Sequence, residues 1–250
     1  MRTLKLTLAY DGTNYVGWQR QENGPSIQQV LEEAFVPLAG AGTAGARPPA
    51  VVGAGRTDAG VHALGQVASV NLDSDLPADV IERALNVRLP LDVRVVDVAD
   101  AAPGFNARSD AAGKTYRYRV ATTPVLSPFD RLYMFHGPGR HDVSAMCRAA
   151  ARLVGRHDFA SFQTTGSWPL DTVRTIRRLE VREAAGELAI EVEGDGFLRH
   201  MVRAVAGTLL EIGLGQRSPD TITDVLAARD RQAAGRTLPA LGLTLVTVRY

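Results

Sequence analysis

A chain of 250 residues, 45% hydrophobic and 22% charged, has room for one large domain or two halves, and its composition excludes a fibrous or disordered protein. A net charge of +1 leaves no global basic field for nucleic acid, and the single cysteine, Cys147, excludes an intramolecular disulfide. No apolar run approaches the ~20 residues that span a bilayer, and the first residues alternate like a strand rather than a leader, so the expected location is cytoplasmic. Lys5 and Lys114 are the only lysines, and 26 of the 28 basic residues are arginine. With the abundant alanine this reads as coding bias, so the positions of the arginines are informative and their number is not.

In chain order, Arg2 to Tyr10 reads as a strand with Leu4, Leu6 and Leu8 on one face. Tyr10 to Gln21 is a loop dense in glycine, aromatic and hydrogen-bonding residues, suited either to packing or to contact with sugar, base or phosphate. Ser26 caps a helix, with Gln29 as its capping-box partner and Ile27, Val30, Leu31, Ala34 and Phe35 on one face. Gly40 to Pro49 is a surface loop. Strands at Val51–Val52 and Gln66–Leu72 flank a glycine-rich turn. Pro77 opens a helix that ends near Leu89, and Val93 to Val98 is a strand. The order is β-α-β-β-α-β.

The second half begins with a strand from Lys114 to Thr122, followed by a helix from Asp142 to Leu153. A hairpin joins Val173–Glu183 to Glu187–Asp195 around Gly186. Helices follow at Phe197–Ile212 and Pro219–Arg229, and a strand at Leu243–Tyr250. The order is again β-α-β-β-α-(α)-β. The fold class expected is therefore α+β: two ferredoxin-like, RRM-like halves, 1–109 and 110–250, with mainly antiparallel sheets flanked by helices. Parallel central strands within each half would bring their loops to an active-site cleft between the halves.

The turn Gly53-Ala54-Gly55-Arg56-Thr57-Asp58-Ala59-Gly60-Val61-His62-Ala63 carries one carboxylate and, two residues before it, one guanidinium. Three readings compete. Asp58 can bond to turn amides. A dinucleotide fingerprint fails, because the third glycine of G-x-G-x-x-G falls on Asp58 and a strand follows where a helix is required. Asp58 can also be a catalytic carboxylate on a loop held by rigid strands, with Arg56 supporting its charge or positioning an anionic substrate.

Three further stretches bear on this choice. Along Lys114-Thr115-Tyr116-Arg117-Tyr118-Arg119, period-2 geometry sets the tyrosines on one face and Arg117 and Arg119 on the other. That is either a half-buried strand with a charged outer face or a base-stacking tyrosine beside phosphate-binding arginines. Within the helix expected from Phe197, Arg199 and Arg203 are spaced i, i+4. His157-Asp158-Phe159-Ala160-Ser161-Phe162 holds the residue types of a nucleophilic triad, but contiguous neighbours rarely supply its geometry, and loop packing is the better reading. The five histidines have no metal-ligand spacing with Cys147, so no zinc site is expected.

Together these motifs resemble the tRNA pseudouridine synthase A (TruA) family. Tyr10-Asp11-Gly12 with Gly17-Trp18-Gln19 carry the likeness, then Gly55 to Ala63, Lys114 to Tyr118, His157 to Phe162, Arg174-Thr175-Ile176, Phe197 to Arg203, and Gly242-Leu243. They come in the family's order and cover almost the whole chain. The resemblance implies isomerisation of uridine to pseudouridine at positions 38–40 of the tRNA anticodon stem-loop. It implies a homodimer with no cofactor or metal; that no membrane partner is expected follows from the hydropathy above. Asp58 would be the catalytic aspartate and Tyr116 the tyrosine that contacts the target base. Arg203 would pair with the aspartate, and Arg56 would help hold the nucleotide out of the stack. Two other classes remain open on the residues themselves. One is an RNA-binding module of the same fold without catalysis. The other is an aspartic hydrolase, against which the single carboxylate beside Arg56 argues.

Overall fold

The computed structural model describes residues 1–38, 48–166 and 171–250. Most of the loop expected between Gly40 and Pro49 lies outside the described residues. The chain divides into two units, Met1–Ala112 with Leu245–Tyr250, and Gly113–Thr244.

The first unit runs β1 (Arg2–Tyr10), α1 (Ile27–Phe35), β2 (Val51–Gly53), β3 (His62–Leu72), α2 (Ala78–Arg88) and β4 (Val93–Asp100). On β1 the alternation is realised: Leu4, Leu6, Leu8 and Tyr10 are buried while the residues between them are half-buried. Fully burying one such leucine is worth roughly 1.5–3 kcal/mol. Ser26 caps α1 by accepting from the Gln29 amide at 3.2 Å, but the Gln29 side chain turns to Glu33 instead of completing the box. Glu32 is a buried carboxylate with its partners supplied: it accepts from Gln28 Nε2 and from the Val51 amide, which ties α1 to β2.

In this unit β1 lies between β4 and β3, antiparallel to both, and β2 is antiparallel to β3. The expectation of parallel central strands is therefore corrected. Each helical crossover skips a strand. β1 and β2 both run opposite to β3, so they run in the same direction without being neighbours.

The second unit runs β5 (Gly113–Ala121), β6 (Phe135–His136), α3 (Val143–Leu153), β7 (Gly155–Asp158), β8 (Val173–Ala184), β9 (Glu187–Gly194), α4 (Met201–Gly213) and α5 (Thr221–Ala228). Its main strands are ordered β5-β9-β8-β7, each pair antiparallel, and β6 adds two residues parallel to β5. The β8–β9 hairpin closes through Ala185 and Gly186, both at positive φ (51° and 79°), as a two-residue turn between twisted strands requires. Asp142 caps α3 by accepting from the Ala145 amide at 2.9 Å.

β6 has no counterpart in the sequence reading, and three further elements differ from it. Gly155–Asp158 is a strand and not a loop; its polar sequence hides a ladder in which Gly155 faces Ile176 and Asp158 faces Val173. α4 starts at Met201 rather than Phe197, because His200 has φ 62°, which a right-handed helix does not admit. The Thr164 hydroxyl meets His200 Nδ1 at 2.6 Å and the Thr164 amide donates to the Arg199 carbonyl, holding that break in place.

The third is the final strand, β10 (Leu243–Arg249), expected in the second half. Its residues from Leu245 onward group with the first unit, where β10 lies beside β3. The Ala112 amide donates to the Arg249 carbonyl at 2.7 Å and the Tyr250 hydroxyl donates to the Ala107 carbonyl at 2.8 Å. Lys5 Nζ lies 4.5 Å from the centre of the Tyr250 ring and 5.9 Å from that of Phe105.

Candidate active site

The turn between β2 and β3 is built against the loop between β1 and α1. Gly17 and Asp58 form an antiparallel bridge. Beside it the Trp18 amide donates to the Thr57 carbonyl at 3.0 Å, and the Gly60 amide donates to the Tyr15 carbonyl at 3.3 Å. The Val61 amide closes the turn on the Asp58 carbonyl at 3.1 Å.

Two glycines make this approach possible. A Cβ on Gly17, whose φ is +108°, would lie 2.4 Å from the Thr57 carbonyl oxygen, and one on Gly12 would lie 2.0 Å from that of Val61. The Gly12 amide also donates to His62 Nδ1 at 3.1 Å, and the same nitrogen lies 3.1 Å from Asp11 Oδ1. Tyr10, Tyr15 and Trp18 are buried. The aromatic residues of this loop are therefore packing anchors under the turn, and the base-contacting alternative falls for them.

Beneath the turn lies a small polar cluster. Tyr10 Oη and Thr57 Oγ1 share a hydrogen bond of 2.9 Å, and Gln66 Nε2 donates to the Gly55 carbonyl at 2.8 Å. Burial pushes the Tyr10 hydroxyl up to about 12, with its bonds to Thr57 and Gln66 opposing, so it stays protonated at neutral pH. With Thr57 turned inward and buried, Arg56 is exposed and Asp58 half-buried on either side of it. The sequence reading missed Gln66 and Thr57. The signal was available for Gln66: it shares the period-2 face of Ala68, Val70 and Leu72, and a polar side chain among them needs a buried partner.

Tyr116 and Arg203 belong to the second unit. Tyr116 is buried on β5 opposite Val192, with its ring edge-on to Phe197 at 5.2 Å and 86°. Phe197 lies in the segment before α4, three residues ahead of the break at His200. Tyr118, two residues on, is also buried and donates to the Pro239 carbonyl at 2.8 Å. Burial raises its hydroxyl above the ordinary tyrosine value, with Arg203 and Arg236 opposing. Arg203 lies in the first turn of α4, where its Nε donates to the Leu238 carbonyl at 2.7 Å. Arg199 precedes the helix and is exposed, so the expected i, i+4 face of Arg199 and Arg203 does not form.

On the other face of β5, Arg117 bonds Glu191 and Arg119 bonds Glu187, both at 2.8 Å across to β9, and Arg178 also bonds Glu191 at 2.8 Å. This is the charged outer face of the strand. Its arginines are engaged by carboxylates, which leaves little net charge for phosphate.

His157, Asp158 and Ser161 do not form a triad. Asp158 Oδ1 accepts from the Ala160 amide and from Thr172 Oγ1, and its Oδ2 meets Arg229 at 2.9 Å. Ser161 Oγ donates to the Val225 carbonyl at 2.6 Å and accepts from the Asp230 amide at 3.0 Å, a buried tie to α5. Among the described residues, no group of three or more His, Cys, Asp or Glu side chains could hold a metal ion, and no helix is long and apolar enough to cross a membrane.

Comparison with known proteins bears on what such a turn does. A family model described as tRNA pseudouridine synthase matches residues 7–108 and 149–250. A "tRNA pseudouridine synthase A" of Myxococcus xanthus is 47% identical over 251 residues, covering 100% of this chain and 92% of the relative. One of Geotalea uraniireducens is 42% identical over 250 residues, covering 100% of both. A solved structure, "Crystal Structure of a Cbf5-Nop10-Gar1 Complex", is similar over 83% of this chain and 45% of its own, at 13% identity and a TM-score of 0.35.

Proposed function

Given that the chain belongs to the tRNA pseudouridine synthase A family, and is thus an isomerase that converts uridine in tRNA to pseudouridine, we propose that Asp58 is its catalytic group and that its targets are uridines 38, 39 and 40 of the anticodon stem-loop. The observation that carries the assignment is the braced turn: Asp58 is half-buried on a segment bridged to Gly17 and capped by the Trp18 amide. A backbone so braced limits where the Asp58 carboxylate can point, which is the preorganisation a reacting atom needs.

The reaction breaks the bond from ribose C1′ to uracil N1, turns the base, and forms a bond from C1′ to C5. The C5 proton is lost and N1 gains one, so no oxidant, reductant or external group is consumed. Asp58 serves as nucleophile or base in this exchange. Tyr116 contacts the target base once it has left the stack; stacking on an aromatic ring is worth ~1–3 kcal/mol per base. That offsets part of the few kcal/mol of unstacking. Arg203 supplies the charge that compensates Asp58, and Arg56, exposed beside it, holds the flipped nucleotide. With the sheet arginines of the second unit engaged by glutamates, recognition rests on RNA shape, which suits three adjacent targets. The active species in this reading is a cytoplasmic homodimer.

Tritium at uridine C5 of a tRNA transcript is released when the new bond forms. Wild type should release it from transcripts with uridine at 38, 39 or 40, and Asp58→Asn should bind the same tRNA without release. Failure of wild type to release tritium from any such transcript would refute the target assignment. Light scattering should report twice the mass of one chain; a monomer with full activity would refute the dimer.

A further inference from the structure

The polar cluster under the turn has no part in the chemistry above, yet it contacts both neighbours of Arg56. Gly55 is held through its carbonyl by Gln66 at 2.8 Å. Thr57 is held twice: its carbonyl by the Trp18 amide at 3.0 Å and its hydroxyl by Tyr10 at 2.9 Å. Gln66 is itself fixed, because its Oε1 accepts from the Val67 amide at 3.2 Å. Tyr10, Thr57 and Gln66 are all buried, so water cannot replace a lost partner.

Thr57 is β-branched, and its χ1 is stiff once the hydroxyl is committed. The residue's inward direction then dictates where the residues before and after it point.

From this geometry we infer that Thr57 is a positioning residue for the reaction: its hydroxyl, held by Tyr10, fixes the direction of Asp58 and Arg56. Thr57 does not touch the substrate. It acts by keeping one of the conformations open to a glycine-flanked turn. The inference rests on the assignment of catalysis to Asp58.

The test is the kcat and KM of tritium release for Thr57→Val, Thr57→Ser and Tyr10→Phe, with thermal unfolding of each. A displacement of about 1 Å at a reacting group costs on the order of a hundredfold in rate. Thr57→Val and Tyr10→Phe should therefore lower kcat by roughly ten- to a hundredfold with little change in KM. Thr57→Ser, which keeps the hydroxyl, should recover most of the loss. The double variant Tyr10→Phe/Thr57→Val should be little worse than the poorer single variant, because both remove the same bond.

A Thr57→Val enzyme with wild-type kcat would overturn the inference, as would a Thr57→Ser enzyme as impaired as Thr57→Val at equal stability. If Thr57→Val does not fold, Tyr10→Phe decides alone: wild-type kcat in that variant overturns the proposal. Asp58→Asn assayed beside them separates the two levels. Turnover by Asp58→Asn would sink the catalytic assignment. An inactive Asp58→Asn with a fully active Thr57→Val would sink only the positioning role.

Discussion

A Gly17→Ala substitution presses directly on the contact between the two loops. At φ +108° the residue lies outside the left-handed well near +57° that side-chain-bearing residues reach, a strain of roughly 1–3 kcal/mol. The added Cβ would lie 2.4 Å from the Thr57 carbonyl oxygen and 3.0 Å from the Asp58 carbonyl carbon, where ordinary contact begins at 3.4 Å. Both neighbours are backbone, so no side chain can swing aside, and the loop and turn must part by about 1 Å. Displacement of that size costs ~100-fold in turnover. The natural control is Gly104→Ala: φ there is +83°, but nothing lies within 4 Å of the new Cβ, so it suffers strain without displacement. Strain alone should lower the melting temperature by roughly 2–4 °C per kcal/mol in both variants. Only Gly17→Ala should lose kcat in the tritium-release assay. Equal turnover by folded Gly17→Ala and folded Gly104→Ala would refute a catalytic role for the contact between loop and turn.

Two further predictions concern the second unit. Ser161→Ala leaves the Val225 carbonyl and the Asp230 amide without their buried partner and should destabilise by roughly 1–3 kcal/mol in denaturant unfolding, with the kcat of the folded enzyme unchanged; a folded variant with lost turnover would contradict the structural role. Asp158 is held below the ordinary carboxylate value by Thr172 first, then the Ala160 amide and Arg229, against desolvation. Its folded value lies below the unfolded one of about 3.9, so its contribution is complete above that pH and is lost as pH falls through the folded value. The melting-temperature advantage of wild type over Asp158→Asn should hold from neutral pH to about 5 and vanish in stronger acid; an advantage that grows on acidification would refute it.

Local periodicity made most elements legible. Leu4, Leu6 and Leu8 marked β1, and Ser26 marked the start of α1 by capping. What escaped is what depends on partners distant in sequence. β7 is polar and becomes a strand only because β8 offers it an edge. The start of α4 moved because Thr164, far from it in sequence, holds His200 in a left-handed conformation. Period 2 correctly divided the tyrosines of β5 from its arginines, but could not show that β9 presents Glu187 and Glu191 opposite them. At the site, the residue types left a catalytic Asp58 as one reading among three, and the family resemblance singled it out. The brace beneath it stayed hidden because Tyr10, Gly17 and Gln66 contact the turn only once the sheet has formed.

The assignment of Leu245–Tyr250 to the first unit has a consequence for how the protein is made. Synthesis delivers β1 to β4 early, but the strand beside β3 leaves the ribosome only after all of Gly113–Thr244. Until then the edge of β3 beyond β2 is an open template for other chains, and Lys5 and Ala107 await a partner more than a hundred residues downstream. The first unit is thus begun first and finished last, and chaperone protection during synthesis matters most on that edge.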